Sequence, residues 1–280
     1  KQYYDENEVE LNKQNLVDLP VANYPKDVQR PTIGCRGIIQ RSLRVLSLIV
    51  RESGDWKENV RLHSLKLLYQ FVLHAEASMT AKFFTIYGDV AKACRDAEPE
   101  VAKQAFKVSD LMGRLLAYAD WIEHGIEGLE KHPNEGFLKC FFYMFSSTLV
   151  CQEEDILRVS QILKLPDCSQ TLKPAMQLYV LKMARTLLDK SEKFSSPNEE
   201  LHKNLYIAIV KVMALDYSTA SQNQGPSLQS MGLELLQSLA DRREGGEISQ
   251  LHQQWFSSAL QCVSDLEAAL DAVSEPILLL

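Results

Sequence analysis

Asp55-Trp56-Lys57-Glu58-Asn59-Val60-Arg61-Leu62-His63-Ser64-Leu65-Lys66-Leu67-Leu68-Tyr69-Gln70-Phe71-Val72-Leu73-His74-Ala75-Glu76 carries the pattern from which the architecture follows. It reads as the second helix of a helical hairpin. Asp55 stands where an N-cap belongs, since its carboxylate can accept from the first free N–H groups of the helix that follows. Val60, Ser64, Leu67, Leu68, Phe71 and Ala75 then recur three and four apart, placing an apolar stripe on one face. The pattern returns. Asp96-Ala97-Glu98-Pro99-Glu100-Val101 opens another such helix, with Asp96, Val101 and Ala105 each 41 positions after Asp55, Val60 and Ser64.

A chain of 280 residues can form one large or two ordinary domains, but stacked repeats escape that arithmetic because each unit packs only on its neighbours. The 46% hydrophobic fraction is ample for a continuous core and, with 24% charged residues, argues against disorder over most of the chain. A formal charge of −7 provides no whole-chain footprint for nucleic acid. The six cysteines form no Cys-x-x-Cys pair, and we read them as reduced, mostly buried thiols of a cytoplasmic protein. No signal peptide, lipidation motif or membrane-length apolar run is present, so no membrane partner is expected. Lys1 opens the chain without a Met, and we read the chain as a piece of a longer protein.

Residues 1–31 are polar and carry Pro20, Pro25 and Pro31. They are expected to be extended or partly ordered, with a short helix around Glu6 to Val17. From Thr32 to Glu52 the spacing of Ile38, Ile39, Leu43, Leu46, Ile49 and Val50 predicts one amphipathic helix, the partner of the opening stretch. Met79 to Asp96 pairs with Pro99 to Leu116, and Ala119 to Leu129 with Gly136 to Cys151. In that last helix the run of Phe137, Phe141, Phe142, Tyr143 and Phe145 reads as burial between neighbours in preference to an exposed docking surface. Glu153 to Leu163 pairs with Leu172 to Leu188, and Leu201 to Leu215 with Leu228 to Leu239; a helix from Ile248 to Val273 closes the array. Lys190 to Pro197, Asp216 to Ser227 and Asp241 to Gly246 read as flexible breaks. The expected architecture is all-α: an α-solenoid over residues 32–280 with about five helix pairs and a terminal capping helix.

The Asp turn, the Val at a fixed offset, the small residue four further on and the 41-residue spacing together resemble the HEAT repeat. Arg61 follows Val60 as that pattern expects, whereas Ala102 follows Val101 and Lys103 comes one place late. A more specific block lies upstream: Tyr24-Pro25-Lys26-Asp27-Val28-Gln29-Arg30-Pro31-Thr32-Ile33-Gly34-Cys35-Arg36, then Leu67-Leu68-Tyr69 and Leu73-His74-Ala75-Glu76. It is similar to the C-terminal part of the HEAT-repeat dynein axonemal assembly factors, the fifth of that series. The resemblance implies a cytoplasmic factor that helps preassemble dynein arms for motile cilia, working with chaperones and other assembly factors on dynein subunits. It also implies that Asp55, Val60, Asp96 and Val101 are structural repeat positions, with Asp and Arg forming ladders between repeats.

Motifs for dinucleotide, phosphate or zinc binding and for nucleophilic catalysis are absent from the sequence, no cofactor or metal is expected, and the six histidines are scattered. We therefore expect no enzyme. Between Val21 and Arg51 six cations face one acid. Arg36, Arg41, Arg44 and Arg51, together with Arg61 and Lys66 on the second helix, are the candidate partner-binding residues; a solvated helix face is the competing reading. Glu244, Glu247, Asp265, Glu267, Asp271 and Glu275 form an acidic counterpart. A HEAT adaptor of nuclear-transport or phosphatase-scaffold type is the alternative function, disfavoured by the Tyr24 to Arg36 block. An all-α enzyme is a third reading, which would need a pocket of converging ionisable groups.

Overall fold

The computed structural model describes residues 23–194, 198–215, 227–243 and 246–267. The expected Glu6 to Val17 helix, most of the three breaks, the apolar tail and much of the acidic counterpart lie outside the described residues. The chain divides into two compact units, Lys1–Val150 and Cys151–Leu280, each all-α among the described residues.

In the first unit, α1 (Ile33–Arg41), α2 (Leu46–Glu52), α4 (Phe83–Ala93) and α6 (Tyr118–Lys131) are the first helices of successive hairpins. The second helices are α3 (Glu58–Ala75), α5 (Pro99–Leu115) and α7 (Glu135–Ser147). α3 packs on α5 and α5 on α7, making a row; α1 and α2 cover α3, α4 covers α5 and α7, and α6 covers α7. Trp121, Phe141 and Phe145 are completely buried between the layers, each worth about 3 kcal/mol of apolar transfer. Phe137, Phe142 and Tyr143 are half-buried, so the aromatic run of α7 is divided between core and surface. Gly113 is where α5 and α7 come closest: a Cβ there would collide with the Met144 carbonyl. Ser147 donates to the Asp110 carbonyl of α5 at 2.7 Å. α7 stops at Ser147, short of the expected Cys151, because Thr148 turns extended.

Three local expectations are corrected. The helix expected from Thr32 to Glu52 breaks at Ser42, whose hydroxyl takes the Ile38 carbonyl while its N–H turns to Ile39; a 3-10 turn, Leu43–Val45, follows. Asp55 is not the N-cap of α3. That position is Lys57, and Asp55 accepts the Lys57 N–H at 2.7 Å, forming an Asx turn just ahead of the helix. The buried face of α3 is Ser64, Leu65, Leu68, Val72, Leu73 and Ala75, so the stripe is rotated: Leu67 is 40% exposed and Val60 and Phe71 are half-buried. The arc turns because α3 must touch α1, α2 and α5 together.

The second unit contains α8 (Glu153–Leu163), the short α9 (Pro166–Ser169), α10 (Pro174–Ser191), α11 (Glu199–Ala214), α12 (Leu228–Asp241) and α13 (Ile248–Glu267). The hairpins α8 with α10 and α11 with α12 follow the sequence expectation. α11 lies at the centre, against α8, α10, α12 and α13, and is buried almost all round from Leu201 to Val212. Its polar groups are bonded inside: Asn204 donates to the Ser160 hydroxyl and accepts from Lys164, and Lys211 donates to the Lys164 carbonyl.

Candidate functional site

The Tyr24 to Arg36 block is organised by one carboxylate. Glu76 ends α3 with a φ of 51°, a conformation a non-glycine residue adopts at a cost of about 1–3 kcal/mol. Tyr24 donates to its Oε1; Arg30 reaches both oxygens, Nε to Oε1 at 2.9 Å and Nη2 to Oε2 at 3.0 Å; Arg36 Nη1 reaches Oε2 at 3.2 Å. Burial raises the Glu76 pKa, but the Arg30 and Tyr24 hydrogen bonds and the two guanidinium charges outweigh it and leave it below the usual range. Burial, then Glu76, drives the Tyr24 phenol well above the usual tyrosine range. The clasp seats Pro25 and Val28 beside α3, with a turn closed by the Val28 N–H on the Pro25 carbonyl.

A second ionic contact joins repeats. Arg61 Nε and Nη2 hold the two Asp96 oxygens at 2.7 and 2.9 Å, while Nη1 holds the Asp55 and Trp56 carbonyls. Asp96 repeats the Asx turn of Asp55, accepting the Glu98 N–H at 2.9 Å. Burial raises the Asp96 pKa and the bonds from Arg61 and Glu98 more than reverse it. The next repeat carries Ala102 where Arg61 would recur, so no guanidinium extends the rung from that position. Val101 is completely buried, unlike half-buried Val60.

Of the six candidate partner-binding cations, two are committed internally. Arg36 is 8% exposed and paired to Glu76, and Arg61 is held by Asp96; neither is a surface docking group. Arg41, Arg44 and Arg51 are exposed but do not share one helix face, because the break at Ser42 separates Arg41 from Arg51 and puts Arg44 in the 3-10 turn. Arg51 pairs with its neighbour Glu52 at 2.9 Å. Lys66 is different. It lies on the exposed side of the second-helix row, in a groove of about 830 Å³ walled by Pro25 and Val28 and floored by Phe106 and Tyr143. Those rings stack at 4.5 Å, with Lys139 over Phe106 at 5.8 Å. Lys107 lines the same groove.

Glu76, Phe106 and Lys107 were not singled out by sequence for these roles, and Tyr143 belonged to the aromatic run read as burial between neighbours. A signal existed for one: Lys107 is 41 positions after Lys66, the same spacing that relates Asp96 to Asp55. Among the described residues no cluster of three or more His, Cys, Asp or Glu could hold a metal ion, and no helix is long and apolar enough to cross a membrane. Cys94, Cys140 and Cys168 are buried free thiols; burial pushes Cys168 up to about 12, which suits packing rather than reactivity.

Two-layered hairpins, Asp turns and an Arg–Asp rung between repeats define the chain as a HEAT-type α-solenoid protein. Residues 22–216 match the family described as dynein axonemal assembly factor 5, HEAT-repeat domain, and the chain belongs to that family. It is 50% identical over its whole length to dynein axonemal assembly factor 5 of Drosophila melanogaster, covering 33% of that relative. Similarity to the Xenopus laevis protein of that name is 26% over 93% of the chain and 32% of the relative; to the Mus musculus protein it is 30% over 48% of the chain and 16% of the relative. The chain thus spans about a third of the fly and frog proteins.

Proposed function

We propose that this chain is a non-catalytic scaffold within a factor that assembles axonemal dynein arms in the cytoplasm before their delivery to motile cilia. The observation that carries the reading is the full-length match to a relative named dynein axonemal assembly factor 5. The architecture supports it: a row of second helices presents a long surface on rigid supports, suited to gripping a large, incompletely assembled client. Dynein subunits, chaperones and other assembly factors are the proposed partners. Affinity capture with the full-length protein from the cytosol of ciliated cells should recover dynein chains together with chaperones. Recovery of neither, from an extract in which both are abundant, would falsify the client assignment.

A further inference from the structure

We propose that the groove across α3, α5 and α7 binds an extended acidic peptide segment of a partner protein, with carboxylates three residues apart and an apolar side chain beyond them. Lys66 and Lys107 are exposed, and neither has an ion-pair partner among the described residues. The other charges nearby are largely self-neutralised: Lys103 pairs with Glu100 at 2.7 Å and Arg114 with Asp110 at 2.8 Å. Asp27 also lines the groove, on the Pro25 to Val28 wall. The groove therefore offers two cations without an ion pair, in register on adjacent helices beside an aromatic platform; both feel the Glu100 carboxylate, whose hydrogen bond goes to Lys103.

Spacing selects the ligand. Neighbouring packed helices stand about 8–10 Å apart, and an extended peptide advances about 3.3 Å per residue, so a strand crossing the row meets successive helices every third residue. Carboxylates at the first and fourth positions then face Lys66 and Lys107. The third helix presents Tyr143 stacked on Phe106, where an apolar side chain at the seventh position can lie. The clasp on Glu76 matters here because it fixes the Pro25 to Val28 wall that makes this surface a groove rather than an open helix face. The chemistry rests on these residues alone; only the identification of the peptide's owner as a dynein arm component or assembly partner rests on the scaffold reading.

The test is fluorescence anisotropy on the full-length protein with a fluorescein-labelled Gly/Ser-rich decapeptide carrying Glu at positions one and four and Leu at position seven. A second peptide of equal composition carries the two Glu side by side. The spaced peptide should bind more tightly, and K66E/K107E should weaken it by about tenfold, with K66R/K107R restoring binding. R44E/R51E, outside the groove, should change it less than about twofold. Equal binding of the two peptides, or an unaltered affinity in K66E/K107E, overturns the proposal. The same charge-reversed protein is then used for affinity capture from cytosol. Lysine-dependent peptide binding without dynein capture by the unmodified protein leaves the groove standing and sinks the scaffold reading; dynein capture without lysine-dependent peptide binding does the reverse.

Discussion

The two units solve the problem of stacking helices differently. In the first, the second helices expose one side, and the register between repeats is held at the turns by ionic contacts: Glu76 with Tyr24, Arg30 and Arg36, and Asp96 with Arg61. In the second, α11 is enclosed by five neighbours and its register is set mainly by burial and by hydrogen bonds through Asn204 and Lys211, with ion pairs confined to the end of α12, where Arg242 meets Glu192 and Arg243 meets Glu199. A helix with a free side must be oriented by directional bonds, because burial on one face alone leaves it able to slide or rotate. A helix buried almost all round needs fewer such bonds, and little of it is left for a partner to touch. The candidate groove accordingly falls in the first unit.

The largest loss of stability is expected from hollowing out the enclosed helix. Tyr206 is completely buried on α11, bonded to His252 and packed on the Trp255 ring. Tyr206→Ala should cost about 3–5 kcal/mol, read from the shift of the Trp255 fluorescence transition in guanidinium. A smaller cost, near that of a surface substitution, would show that α11 is not the keystone of its unit.

The corresponding cut in the first unit is Glu76→Gln. It leaves Arg30 and Arg36 facing a neutral amide in a largely buried setting, and we expect a loss of about 2–4 kcal/mol, monitored by the buried Trp121. The pH dependence carries the same contrast. The Glu76 and Asp96 carboxylates titrate below their usual range in the folded chain, so their contribution is complete above the unfolded carboxylate pKa and is lost as pH falls through the folded one. Glu76→Gln should therefore flatten the acid limb of stability below about pH 4.5. An acid limb unchanged by the substitution would assign it to other carboxylates.

The hairpins were legible because helix period and repeat period are written in apolar spacing, which survives without knowledge of neighbours. The helix start at Pro99 was legible for the same local reason, whereas the helix expected from Leu172 starts at Pro174. Rotation of a helix about its axis was not: Leu67 and Leu65 are equally apolar in the text, and only the position of α1, α2 and α5 decides that Leu65 is buried and Leu67 is exposed. Arg36 leaves the basic strip through a non-local pairing. Arg36 lies in a cation-rich segment, and the acid that neutralises it is 40 positions away in sequence. Lys66, by contrast, is exposed, with Glu100 near it but bonded to Lys103.

The second unit has one titrating group whose effect runs in a different pH window, and it gives the smallest expected change. His202 is 4% exposed on α11; burial first, then the nearby Arg243 and Arg242 charges, depress its pKa to about 4, with Glu199 opposing. In the unfolded chain the imidazole takes its proton near pH 6.5, so between about pH 6.5 and 4 the unfolded state binds more protons than the folded one. Stability of the second unit must then fall as pH falls through that window, in contrast to the carboxylate clasps, which are still intact there. At pH 5.5 the loss relative to pH 8 is about 1–2 kcal/mol. His202→Gln removes the titration, so the Trp255 transition should become independent of pH from 8 to 5.5 while the Trp121 transition does not change. A Trp255 transition that keeps its pH dependence in His202→Gln would move the sensitivity to another group of the second unit.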